Sequence, residues 1–206
     1  MGSLNLTETS PPQSFLEPLA LEEVISYLGI PERSPADPME DLQLETFISA
    51  ARDIAEFHQG RDLVEKQYDL SLYGFPCREI ELRDGLASVD LVQYRDSDGG
   101  LHEFEHYIVD KARHPGVVMP PYGESWPSFT AWPSSPVLIR FTAGYPPNHP
   151  FWTSGPGARI KQGMLMLISG WFNNRIPFQE HGNQAIQEYP YAVTACLSYG
   201  ALVRVR

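Results

Sequence analysis

Residues His102, Glu103 and His106, within His-Glu-Phe-Glu-His, spell the H-E-x-x-H pattern by which zinc hydrolases hold their metal. The chemistry would be metal-assisted hydrolysis. On a helix, residues four apart lie about 6 Å from each other at the backbone, so two imidazoles can converge on one ion through bonds of roughly 2 Å. The surrounding residues argue against a helix. The stretch follows the turn formers Asp98-Gly99-Gly100 and runs into Tyr107, Ile108 and Val109, which favour strands. In an extended Leu101–Val109 the two histidines share a face but stand about 13 Å apart, too far for one ion. The residue three after His106 is Val109, where metzincins need glycine, and Glu124 sits in a proline-rich loop instead of on a second helix. The expectation is a solvated or subunit-facing strand edge that discourages wrong pairing, with no metal and no cofactor.

The remaining reactive side chains form no catalytic set. His58, His114, His149 and His181 are scattered, and no G-x-S-x-G elbow occurs. Trp126, Phe129 and Trp132, in the loop from Met119 to Pro136, are candidates for stacking a sugar or base in a monomeric ligand-binding module; the other reading is that they cover the sheet or a neighbouring subunit. Gly144–Pro150 could be a ligand-binding loop; the favoured reading is a plain connector that its prolines stiffen. Two cysteines, Cys77 and Cys196, suggest neither a disulfide framework nor a cysteine zinc site, which fits a reducing compartment. With 15 Lys and Arg against 26 Asp and Glu, the net charge of -11 disfavours a DNA-reading protein but suits a soluble subunit or a channel wall that must not grip DNA.

The elements that position these residues follow from periodicity. Leu21, Val24, Ile25 and Leu28 predict a short helix stopped by Gly29. Asp37 and Glu40 predict a capping box with Pro38 at the first helical position; Leu44, Phe47, Ile48, Ala51, Ile54 and Ala55 then line one apolar face, opposite Glu45, Arg52, Asp53 and Glu56, as far as Gly60. From Lys66 the period becomes two. Tyr68, Leu70 and Leu72 alternate with polar residues, and strand-like runs follow at Glu79–Leu82, Val89–Tyr94, Tyr107–Val109 and Val137–Phe141. Helical spacing returns after Gly157 in Ile160, Met164, Leu167, Ile168 and Trp171. That helix is apolar nearly all round, yet its apolar run, Met164 to Phe172, is far shorter than the roughly 20 residues a bilayer needs, so burial on two sides is implied. A last short helix is expected from Pro190 to Tyr199, ending at Gly200.

The fold class is therefore α+β, a core of about four helices with an antiparallel β-region inserted between the second and third. The expected division is a flexible N-terminal arm, 1–18, without signal-peptide or myristoylation features; N-terminal core helices, 19–64; the β-region, 65–145; C-terminal core helices, 146–200; and a tail, 201–206. The tail's valines could add a strand to a partner's sheet edge, or the terminus could simply fray.

In order and wording the chain resembles the head-tail connector (adaptor, or head completion) family of tailed phages, prophages and gene transfer agents. The resemblance rests on LALEEVISYLGI, on LETFISAARDIAEFHQGRDLVEKQYDLSLYGFP, on HYIVD with GVVMPPYGESWPS, and on VLIRFTAGY followed by RIKQGMLMLISGWFNNR and YPYAVTACLSYGALVRVR. It covers Leu19 to Arg206 and departs in the longer arm and in the longer link before the last helix. It implies a non-enzymatic virion subunit, assembled in the host cytoplasm, that forms a ring of about twelve copies beneath the portal. Its partners would be itself, the portal protein, a stopper or tail-terminator protein, and double-stranded DNA passing through the lumen without sequence recognition; no membrane is implied. Trp171, Arg175, Tyr191, Val203, Arg204, Val205 and Arg206 are the expected assembly residues, and by the same resemblance the segment Leu202 to Arg206 would dock on the portal.

Overall fold

Four helices form where the apolar period of 3.6 and the stop signals coincide. The computed structural model describes residues 5–9, 17–31, 37–153, 155–173 and 191–201. Among them, α1 (Leu21–Leu28) ends on Gly29 and α2 (Pro38–Gln59) ends on Gly60, both glycines being left-handed. Asp37 caps α2 by accepting from the amides of Met39 at 3.0 Å and Glu40 at 3.4 Å, with Pro38 where its missing N–H costs nothing. The third and fourth helices are α3 (Pro156–Asn173) and α4 (Tyr191–Leu197). The strands β2 (Lys66–Leu72), β3 (Ile80–Glu81), β4 (Leu86–Arg95), β5 (Leu101–Glu103), β6 (Ile108–Asp110), β7 (Val117–Met119) and β8 (Val137–Ala143) lie between α2 and α3, and β1 (Asn5–Glu8) precedes α1. The fold class is α+β.

The chain divides into two compact units. One comprises residues 16–63 and 146–206, the other 1–15 and 64–145. In the helical unit, α3 packs on α1, α2 and α4, which accounts for its apolar perimeter. Ile160, Met164, Leu167 and Ile168 of α3 are buried with Val24 of α1, with Leu44, Ile48, Ala51 and Ala55 of α2, and with Val193 and Leu197 of α4. Arg52 departs from its expected place on the polar face of α2: it is buried and held by Glu17 at 3.0 Å, Asp53 at 2.8 Å and Glu56 at 3.5 Å. Carboxylates on three sides make up for the water its guanidinium loses.

The sheet unit contains a five-stranded antiparallel sheet, β1-β2-β8-β4-β5, and a three-stranded one, β3-β7-β6. Period-two alternation buries Tyr68, Leu70 and Leu72 on β2 and Val137, Ile139, Phe141 and Ala143 on β8. Tyr68 stacks on its cross-strand partner Phe141 at 5.6 Å. Full burial of a side chain of this kind is worth about 1.5–3 kcal/mol, so these two strands supply much of the unit's cohesion. On β4 the register against β8 shifts twice, between Leu86 and Ser88 and between Val89 and Leu91, which breaks the alternation and hides the strand's first three residues from a periodicity reading. Two strands carry no periodic signal in the sequence: β7, and β1, which forms within the segment expected to be a flexible arm.

Candidate functional site

The zinc-like pentapeptide is not one strand edge. β5 ends at Glu103, residues Phe104–Tyr107 are irregular, and β6 begins at Ile108 in the other sheet, so the motif spans the crossing between sheets. Each histidine has its own carboxylate. His102 Nε2 lies 2.7 Å from Asp96, and its ring stacks on Tyr94 at 5.1 Å; His106 Nε2 lies 3.0 Å from Glu124. Asp96 also accepts from the amides of Gly100 at 2.8 Å and Asp98 at 3.1 Å, closing the turn before β5. The hydrogen bond from His102, then that from Gly100, holds the Asp96 carboxyl below the usual aspartate range. The described residues include no group of three or more His, Cys, Asp or Glu placed to hold a metal ion. The arrangement pins two turns; it does not gather ligands at one point.

Of the other histidines, His114 lies 3.6 Å from Asp84, His58 meets Phe57 edge-on, and His149 accepts from the amide of Phe151 at 3.1 Å, capping the 3-10 turn Pro150–Trp152. His181 lies outside the described residues. The aromatic loop covers its own sheet unit. Trp126 is buried, donates to the Arg78 carbonyl at 2.6 Å and stacks flat on Phe75 at 4.8 Å; Phe129 packs on Tyr94 at 4.6 Å. Trp132 is more exposed, with Arg95 over its ring at 5.7 Å. The stacking faces that a sugar or base would use are thus largely taken up internally, and beside them lies an open cleft of about 360 Å³ lined by Phe75, Cys77, Trp126 and Phe129.

A buried polar cluster gathers where α2 and α4 end. Gln59, wholly buried, donates to the Leu197 carbonyl and, at 3.2 Å, to that of Tyr199. Its own Oε1 accepts from Arg61 Nη2 at 2.8 Å and Nε at 3.2 Å, and Arg61 Nη2 also donates to the Gly200 carbonyl at 2.8 Å. A helix leaves its last carbonyls without intrahelical donors, and these two side chains supply them. Arg159 of α3 stacks over Tyr199 at 3.8 Å, and Gly200 adopts the left-handed conformation that turns the chain out of α4. Gly163 of α3 lets α4 approach: a Cβ there would lie 2.8 Å from Leu197 Cδ2. This latch fixes the backbone just ahead of residues 202–206.

The same fold occurs in solved structures. A chain from the neck of an empty gene transfer agent particle, computed with C6 symmetry, covers 98% of this chain and 97% of its own, with a TM-score of 0.69 and 20% identity. The chain shares that fold. Chains from the native gene transfer agent virion and from the native neck computed with C12 symmetry match over the same shares at 20% identity, with TM-scores of 0.67 and 0.63. No family model and no curated protein matches the sequence.

Within this neck-type fold, Trp171 is half-buried near the end of α3, its ring 5.7 Å from Phe47 of α2, and Tyr191 is highly exposed at the first position of α4. Arg175 and Val203, Arg204, Val205 and Arg206 lie outside the described residues. The latch residues Gln59 and Arg61 escaped the sequence reading, although a signal was present. Leu44, Ile48, Ala51 and Ala55 lead by helical steps to Gln59, a polar residue in a core position, where a buried hydrogen-bonding task is the physical expectation.

Proposed function

We propose that the chain is a structural head-tail connector (adaptor) subunit of a tailed phage or phage-like particle. In this reading it forms a ring of about twelve copies below the portal, at the virion neck, after assembly in the host cytoplasm. The observation that carries the proposal is the whole-length likeness of fold to chains from gene transfer agent necks, reached independently of the resemblance in wording. The side-chain chemistry supports it. The histidines and aromatics that suggested hydrolysis or stacking are engaged in turns and in packing, and no residue is assigned to catalysis. A net charge of -11 suits a lumen through which DNA slides. The portal above and a stopper or tail-terminator protein below would be its protein partners, with the tail Leu202–Arg206 docking on the portal.

The test compares the full chain with one ending at Ala201, each incubated with portal-bearing heads and followed by sedimentation and imaging of the neck. The truncated chain retains Gln59, Arg61 and every carbonyl of the latch, so it should stay folded, shown by an unchanged helical circular dichroism signal. The full chain should bind as a ring and the truncated chain should not. Normal joining by the truncated chain would remove the docking role of the tail; no ring and no binding by the full chain would remove the connector reading.

A further inference from the structure

Strand β1 contributes no core residue. Asn5, Leu6, Thr7, Glu8 and the following Thr9 are all exposed, and the one apolar side chain among them, Leu6, is 39% exposed. The strand is held by its ladder to β2, in register Asn5↔Ser71, Leu6↔Leu70, Thr7↔Asp69 and Glu8↔Tyr68, extended by the Thr9 amide donating to the Gln67 carbonyl at 2.9 Å. That ladder covers the free edge of β2, whose other edge belongs to β8. An open edge of that length would be a template for unwanted pairing. The covalent continuation of β1 leads elsewhere: residues 1–15 group with the sheets, while the chain from Leu16 belongs to the helical unit. Eight residue steps separate Thr9 from Glu17, a reach of up to roughly 27 Å.

We propose that β1 is an exchanged strand: in the ring, Asn5–Glu8 of each copy pairs with β2 of the neighbouring copy. The proposal rests on the connector reading for the existence of the ring. A backbone ladder makes the same bonds whichever copy supplies the strand, so only the closure of the linking chain separates the two arrangements, and that term varies slowly with length. The strand brings no side chain that would have to be lifted out of a core before exchange. In a closed ring every copy donates one strand and receives one, so no edge of β2 is left open. A free subunit folds the strand back onto its own β2.

The experiment uses opposed cysteines. Asn5 and Ser71 are Cα partners, and antiparallel partners lie about 4.5–5.5 Å apart, within disulfide range. Chains carrying Asn5→Cys and Ser71→Cys, with Cys77→Ser and Cys196→Ser, are oxidised free and as rings on portal-bearing heads, then run on non-reducing gels. Rings should give a ladder of covalently linked multimers, and free protein internally bridged monomers. Rings assembled from a mixture of the two single-cysteine chains should give cross-linked dimers, which keeps the test decisive if the double variant folds poorly. Rings that yield only internal bridges, or none, overturn the exchange and leave the connector reading standing. A chain that forms no ring under any condition overturns both.

Discussion

Replacing Gln59 with leucine keeps the bulk of the side chain and removes every hydrogen bond it makes. The wild-type amide serves two carbonyls, Leu197 and Tyr199, and its oxygen serves Arg61. In the variant the Leu197 carbonyl stays buried without this donor, and Arg61 keeps its bond to Gly200 but loses its inner acceptor. An orphaned buried polar group costs about 1–3 kcal/mol, so two such groups cost about 2–6 kcal/mol, with the Tyr199 carbonyl counted as free to turn to water. The more favourable transfer of leucine out of water returns about 1 kcal/mol. The expected net loss is about 1–5 kcal/mol, a fall in Tm of roughly 2–20 °C for a chain of this size. Urea unfolding followed by helical circular dichroism measures it, because the α-helices among the described residues all belong to the helical unit. A Gln59→Leu midpoint within about 0.5 kcal/mol of wild type, the range of an ordinary surface substitution, would refute the latch as a stabilising device.

Two further outcomes follow from local geometry. Gly163→Ala gains about 1 kcal/mol in helix propensity but places a methyl against Leu197, which costs about 1–3 kcal/mol. The cost should shrink when Leu197→Ala is present; an equal cost in both backgrounds would refute the close helix approach. The lowered pKa of Asp96 gives a pH prediction. Its folded pKa lies below its unfolded one, so its contribution is present above the unfolded value and is lost as pH falls through the folded value, into strongly acid solution. Carboxyl carbon shifts should titrate with a midpoint below the usual aspartate range, and His102→Ala should move that midpoint up; an unmoved midpoint would refute the pair.

What the sequence revealed depended on how far each residue's environment is set by its neighbours in the chain. Asp37, Pro38, Gly29 and Gly60 act within one helical turn, so the end of α1 and the start and end of α2 are legible directly. Tyr68, Leu70 and Leu72 declare β2 because one face of it is buried along its whole length. By contrast, β1 is exposed throughout and exists only because β2 offers an edge, a long-range fact with no local signature. The bulges in β4 scramble its alternation, and the three-residue β7 is too short to carry a period. Arg52 shows the same limit: its polarity placed it on the solvent face, whereas Glu17, distant along the chain, draws it inward. The histidine motif was correctly taken out of a helix, but the point where the chain leaves one sheet for another is decided by Asp96 and Glu124, which lie on either side of it in sequence.

The latch recognises main-chain oxygens. Gln59 and Arg61 contact carbonyls of Leu197, Tyr199 and Gly200 and read none of those residues' side chains. A lineage can therefore rewrite the identity of the terminal segment while its point of departure stays fixed by two residues far upstream. Holding a segment in place and choosing its side chains become separable tasks, and grafting a different tail after Ala201 is an engineering change that this chain should accept without redesign of its helices.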